Sequence, residues 1–384
     1  MVKSVYREFR GYLIRMKFDD HRPNIIFIFG TRPEIIKLSP LIQTCIKQTI
    51  PFTLIHTGQH YSYELDTLIF NDLELPEPND NLHIGSASHG EQTGKMLIGI
   101  EQILLKEKPD IVLVLGDPNS ALAGALAAAK LHIPVCHIEA GRRSYNRSMP
   151  EELNRLMIDQ IADYLFTPNE WTRQNLLKEG IPDDRIIVSG DPIVDVVTSS
   201  KDTAAVCSDI LHRLSLEPEK YFLLTLHRPE NTDNPNKLHT ILNTLDIISA
   251  KYAYPVIFPC HPRTKKVLTM HKLIPKNILI TDPLGYMDFL QLETHASVIL
   301  TDSGSMQEEA CILHVPCVTL RDDTERPETV QIGANTLAGT RPECIMDAVE
   351  SMLHGDKNWQ NPFGEPGVSE RIIHHVLHII TKIA

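Results

Sequence analysis

A chain of 384 residues is long for one hydrophobic core, so two domains are expected, and 42% hydrophobic with 22% charged residues describes an ordinary globular protein. A net charge of −12 excludes a surface built for nucleic acid or anionic lipid, so an anionic ligand has to be held by local Arg and Lys. The longest apolar run, around Ala121–Ala129, is too short for a membrane span, and most of the seven cysteines, which lack CxxC spacing, lie in apolar contexts and read as reduced core thiols of a cytoplasmic protein. The first 23 residues lack the continuous apolar stretch of a secretory signal and read as an extension outside the fold. With no HExxH or comparable Cys/His cluster, no metal is expected. With no GxGxxG after any candidate strand, bound NAD is not supported, and no cofactor is expected.

The first strand is Asn24–Phe29, an apolar, β-branched and aromatic run suited to burial on both faces. GTRPE then opens a helix through Leu38, with Pro33 in its first turn, and brings Arg32 and Lys37 near the strand's carboxyl end. Thr53–Ile55 is the next strand, leaving Gln59 and His60 on a loop, and a helix follows over His89–Lys106. Ile111–Leu115 stops at Gly116-Asp117, where Asp117 either caps the following Ala-rich helix or faces a ligand.

Val135–Ile138 is followed by Glu139, then a bend at Ala140-Gly141, a loop bearing Arg142, Arg143 and Arg147, and a helix opening near Pro150. Glu139 needs a partner if buried, because an ionised group behind an apolar strand is costly to desolvate. In the helix, Ser148 fits an N-cap with Glu151 at N3, and Glu152 would complement the dipole. The alternative gives Glu151 a chemical role. Acidic groups at strand carboxyl ends and at a facing helix start lie where open α/β sheets place ligands, and the cations beside them suit phosphate.

This strand–helix alternation continues to about Asp195. After a polar helical stretch from Thr198 to Glu217, a second series of strands follows: Tyr221–Leu226, Val256–Pro259, Ile278–Ile280, Val298–Leu300 and Cys317–Leu320. His227 and His261 each end a strand. Thr301–Ser305 links a strand to a helix carrying Glu308 and Glu309, with small residues that let backbone N–H groups approach a diphosphate. Arg321 and Arg326 flank an acidic segment, and a last helix spans Arg371–Ile383.

Six segments in order carry a resemblance: Gly30–Ile42, Val114–Gly124, Cys136–Arg155, Leu224–Asn231, Thr301–Ala310 and Arg321–Val330. The chain resembles the non-hydrolysing UDP-N-acetylglucosamine 2-epimerases. That resemblance implies an α/β fold of two Rossmann-like, doubly wound domains facing a central cleft (GT-B-like), the first over 24–195 with a returning helix at about 370–384, the second over 196–369. It implies reversible inversion at C2 of the sugar, by anti elimination of UDP and re-addition through 2-acetamidoglucal. Asp117, Glu139, Glu151 and His227 would be catalytic. Arg32, Lys37, Arg155, His261, Ser303, Gly304, Ser305, Glu309, Arg321 and Arg326 would bind the UDP-sugar, with Ser303 and Gly304 on the diphosphate and Glu309 on the ribose. Gln59 and His60 are candidates for a second ligand site, and a homodimer is expected. Pro118, Asp191-Pro192 and Ser305 depart from the family's usual residues.

Three carboxylates at one edge are expected to repel one another and raise at least one pKa. A rival within the class, acting on UDP-2,3-diacetamido-2,3-dideoxyglucuronic acid, would need one more cation, from Arg142, Arg143 or Arg147. Outside the class stand a GT-B glycosyltransferase and a non-catalytic UDP-sugar sensor.

Overall fold

Apolar runs become buried parallel strands here because both faces of each sheet are covered by helices. The computed structural model describes residues 23–59, 63–273 and 275–383, with backbone alone for 63–67. The expected N-terminal extension, apart from Pro23, and His60 lie outside them. From the amino end the elements are β1 (Ile25–Phe29), α1 (Arg32–Gln48), β2 (Phe52–His56), α2 (Tyr63–Asp72), β3 (Asp80–Asn81), α3 (His89–Glu107), β4 (Ile111–Leu115) and α4 (Asn119–Lys130). Then come β5 (Val135–Ile138), α5 (Pro150–Ile161), β6 (Tyr164–Thr167), α6 (Glu170–Lys178), β7 (Ile186–Val188), α7 (Ile193–Cys207) and α8 (Ile210–Arg213).

The second half holds β8 (Phe222–Thr225), α9 (Pro229–Thr232), α10 (Pro235–Tyr252), β9 (Val256–Pro259), α11 (Pro262–Met270), β10 (Ile278–Thr281) and α12 (Tyr286–Thr294). It ends with β11 (Val298–Thr301), α13 (Gly304–Ile312), β12 (Cys317–Thr319), α14 (Pro327–Gln331), β13 (Asn335–Leu337), α15 (Pro342–His354) and α16 (Val368–Ile383). The seven-stranded sheet runs β3-β2-β1-β4-β5-β6-β7 and the six-stranded one β10-β9-β8-β11-β12-β13, all pairings parallel. Each reverses its winding once, between β1 and β4 and between β8 and β11, and such reversals open a crevice at the strands' carboxyl ends. Asp117, Arg32, His227 and Ser303 all follow one of those four strands.

Helix α1 runs ten residues beyond Leu38, through Pro40. Leu41, Ile42 and Cys45 keep its apolar face buried, and the Thr44 hydroxyl donates to the Pro40 carbonyl at 2.7 Å. Strands β3, β6, β7 and β13 were not among the sequence expectations; at two to four residues they are too short to show a period. Helix α5 corrects the expected cap: Met149, not Ser148, is its N-cap, no side chain caps the turn, and Glu152 rather than Glu151 stands at N3. Glu152 accepts the backbone N–H groups of Ser144 and Tyr145, both at 2.9 Å, and so holds the loop that follows Glu139.

One apolar cluster joins the halves, drawing on β1, α1, α7, α12 and α16. Helix α16 buries Ile372, Ile373, Val376, Leu377, Ile379 and Ile380 and packs on α1 and α7. Its first amides are satisfied from α7, where the Asp195 carboxylate accepts from Gly367 at 2.6 Å and Ser369 at 2.7 Å. Among the described residues no helix is long and apolar enough to cross a membrane.

Asp195→Ala removes that cap and should lower stability by about 0.5–2 kcal/mol. Hydrogen exchange should show α16 amides opening before those of either sheet. Unchanged α16 protection would mean that the cap does not hold the helix.

Candidate active site between the two sheets

Helix α1 begins where β1 ends, which carries Lys37 one and a half turns into the interface. The residue is 2% exposed. Strand β5 ends at Ile138, and Glu139 takes a left-handed backbone (φ 68°), uncommon outside glycine, that turns its carboxylate onto the Lys37 ammonium. The same ammonium lies 2.5 Å from Glu308 and 3.7 Å from Asp191. Arg142, 2% exposed, lies 2.5 Å from Asp191 and from Glu308, and 3.5 Å from Glu328. Its guanidinium sits over the Phe363 ring at 5.7 Å from the centroid.

Charge compensation explains how so many ions share a dry site. Burial alone would lower the Lys37 pKa, yet Asp191, Glu139 and Glu308 raise it above the ordinary lysine value. Burial works against ionisation of Glu308, but Arg142, Arg326 and Lys37 hold its carboxyl down at about 2. Glu139 is raised, first by burial and then by Asp191 and Glu308, with Lys37 opposing. Glu139, Asp191 and Glu308 come close enough together to hold a metal ion. Lys37 and Arg142 already supply positive charge among them.

A second group lies alongside. Arg155 pairs with Asp117, with Glu152 at 2.7 Å and with Glu325 at 3.4 Å. Burial opposes ionisation of Asp117, but Arg155 and Arg326 outweigh it and hold the carboxyl below its usual range. The expected mutual repulsion of three carboxylates therefore does not describe this edge: Asp117 is depressed by arginines, and Glu139 is raised by burial and by groups other than Asp117 and Glu151. Asp117 does not cap α4, whose N-cap is Pro118. Glu151 is the second residue of α5, half-buried, with no hydrogen bond or ion pair among the described residues.

From the second sheet, Arg326 donates to Glu308 at 2.8 Å and reaches Glu325 at 3.4 Å. It lies so close over Gly304, at the start of α13, that a Cβ there would strike the guanidinium. Ser303 is the α13 N-cap and Ser305, half-buried, its second residue, so this helix end and Arg326 form one cationic corner. Arg321 is buried and held by Asp323 at 2.7 Å and Glu325 at 3.0 Å. His227, following β8, places Nδ1 3.0 Å from Asp302, a buried carboxylate that also accepts the His227 and Arg228 backbone N–H groups. Glu309 is buried on α13.

The remaining residues stand further out. Arg32 is the half-buried first residue of α1. His261 is exposed and caps α11, its ring accepting from the Arg263 N–H at 3.3 Å. The Gln59 carbonyl accepts from Gln92 at 3.3 Å, close to Asn119 at the start of α4. Sequence reading missed Asp191, Glu325 and Asp302 as parts of the site, and Glu34, whose buried carboxylate joins the Thr31 backbone N–H at 2.8 Å to the Ser120 hydroxyl at the same distance. The available signal was positional: Asp191 and Asp302 each follow a strand, and Glu34 stands three residues after Thr31.

Comparison with known proteins bears on this geometry. The family model for UDP-N-acetylglucosamine 2-epimerase matches residues 44–377. The UDP-N-acetylglucosamine 2-epimerase of Methanocaldococcus jannaschii is 52% identical over 353 residues, which cover 90% of this chain and 96% of that protein. A crystal structure of the M. jannaschii UDP-GlcNAc 2-epimerase in complex with UDP-GlcNAc and UDP matches with a TM-score of 0.88 at 51% identity, covering 93% of this chain and 100% of that one. The UDP-2,3-diacetamido-2,3-dideoxy-D-glucuronate 2-epimerase of Pseudomonas aeruginosa is 41% identical over 332 residues, 86% of this chain and 92% of that protein.

Glu308→Gln should be strongly destabilising, by about 3–5 kcal/mol, because it leaves Lys37, Arg142 and Arg326 undercompensated. The depressed Glu308 carboxyl contributes stability above its ordinary 4.5 that is lost as pH falls toward about 2. The variant should therefore lose less on acidification than the parent. Parallel acid-denaturation curves would contradict this role.

Proposed function

Because the chain belongs to the UDP-N-acetylglucosamine 2-epimerase family, we propose that it interconverts UDP-N-acetylglucosamine and UDP-N-acetylmannosamine by eliminating UDP and adding it back. The observation that carries the reading is the meeting of Asp117 and Glu139, at the ends of β4 and β5, with Lys37 and Arg155 from the first sheet's side and Arg326 from the second. The α13 start and Arg326 would take the diphosphate, with Lys37, Arg32 and Arg155 beside the sugar. Glu309 would accept from the ribose hydroxyls.

In the forward direction a carboxylate takes the C2 proton while the C1–O bond breaks. The C2–H electron pair becomes the C1=C2 bond of 2-acetamidoglucal, and UDP departs with the bonding pair. Arg326, Arg155 and Lys37 stabilise the charge that develops on it. Protonation of C2 from the opposite face and attack of UDP at C1 complete the inversion. Asp117, held ionised, is suited to proton removal, and Glu139, raised by burial, is better able to carry a proton; Glu151 stands at the facing helix start. Asp302 orients His227 at the rim.

The diacetamido-glucuronate rival would need a free cation. Arg142 is surrounded by Asp191, Glu308 and Glu328, Arg143 is paired with Asp159 and Glu179, and Arg147 is exposed on its loop. Only Arg147 is left for the rival, and the higher identity to a UDP-N-acetylglucosamine 2-epimerase, 52% against 41%, favours the uncharged sugar. The same reading includes a homodimer in the cytoplasm, to which the exposed Ile98 and Leu105, two turns apart on α3, lend an apolar face.

Incubation with UDP-N-acetylglucosamine in deuterium oxide, without added nicotinamide, should place deuterium at C2 of the mannosamine product. Retention of the original hydrogen would exclude elimination. Asp117→Asn should lose about 10²–10⁴-fold in turnover while still binding UDP. Arg326→Ala should weaken UDP by about 1.5–3 kcal/mol by calorimetry.

A further inference from the structure

Helix α12 carries two buried polar side chains seven residues apart, so both lie on one face. Glu293 is 0% exposed and Tyr286 3%. Neither carboxylate oxygen of Glu293 nor the Tyr286 hydroxyl has a hydrogen-bond partner among the described residues. What they face is Glu309 on α13, in hydrogen-bonding reach of Glu293. Two ionised carboxylates would have no hydrogen between them, and a buried acceptor left without a donor is costly. One proton resolves this.

We propose that Glu293 is a carboxylic acid kept protonated, and that it donates to Glu309 and so positions Glu309 as the carboxylate that meets the nucleotide. This rests on the reading that Glu309 lies against the bound UDP-sugar. Glu293 is the member that keeps the proton because among the described residues it faces no cation: its neighbours are Glu309, Tyr286, Tyr221 just before β8 and Cys317 of β12. Glu309 also faces Lys37 of α1, with Asp191 and Glu308 opposing. Burial drives Glu293 well above the usual carboxyl range. Glu309 is pushed up by burial to about 7, with the Glu293 hydrogen bond pulling it down. Without that bond Glu309 would stay protonated to higher pH and would present the nucleotide with a neutral acid.

The test is UDP affinity, by calorimetry on the full chain, on both sides of neutrality. In the parent, affinity should rise as pH passes about 7 and Glu309 ionises. Glu293→Gln keeps a donor and should follow the parent profile. Glu293→Met removes it and should move the profile up by about one pH unit, so that UDP binds about fivefold more weakly at pH 7. It should also raise KM more than it lowers kcat. A Met profile that stays in place, or a Gln profile displaced as far as the Met one, overturns the proposal. If the Met variant does not fold, the parent still decides it. A protonated-carboxyl stretch in the infrared should persist above neutral pH and vanish in Glu293→Gln; its absence from the parent overturns the proposal. Glu309→Gln tests the underlying reading by itself. Weaker UDP binding there upholds that reading whatever Glu293 does, and unchanged binding removes it together with the inference.

Discussion

The structure depends on a buried exchange of charge between its two halves. Lys37 and Arg142 come from the first sheet's side and Glu308 from the second, and none of the three is more than 2% exposed. Taking such groups from water carries a penalty that only close pairing offsets, so each half alone would bury uncompensated charge. The ions therefore fix how the sheets meet as much as they hold them. A diphosphate at Arg326 would bring its own negative charge and so would leave that cation compensated.

The Glu139 turn follows from the same constraint. Its left-handed backbone costs conformational energy, and residues are held there only where the surroundings over-determine them. Those surroundings are visible: Glu152 fixes the next loop through Ser144 and Tyr145, and Lys37 holds the side chain. Asp117, one strand over, is positioned differently, by two neighbours on helix α5: Arg155 pairs with its carboxylate and Asn154 donates to its carbonyl at 2.9 Å. Two carboxylates at one sheet edge thus acquire opposite displacements from their ordinary range, a recurrent way for one site to hold both an acid and a base.

Much of this was legible in the chain. Ile111–Leu115, Val135–Ile138 and Val256–Pro259 are strands at the expected residues, because an apolar run between polar turns has one buried solution in a parallel sheet. Lys37, Glu139 and Arg326 were identifiable from the motifs that carry them. What was not legible is pairing at a distance. Glu308 reads as one of two glutamates on a helix until α1 is laid against it, 271 residues away in sequence. Asp191 reads as a turn residue until Arg142 reaches it, and Glu152 rather than Glu151 becomes the structural glutamate only once the helix start is fixed by Pro150. The continuation of α1 through Pro40 was hidden for the reverse reason: a local breaker is overruled by Leu41, Ile42 and Cys45 in the core.

Helix α16 lies on α1, so residues near 376 cover the helix that carries Lys37. On the ribosome the first sheet emerges long before that cover does. Its apolar face must then wait, through synthesis of the whole second sheet, for the segment that closes it. Contacts so distant along the chain are slow to form. Cover of the Lys37 side of the cleft is therefore a late event, and a nascent chain stalled before Val368 would expose the apolar face of the helix that carries Lys37.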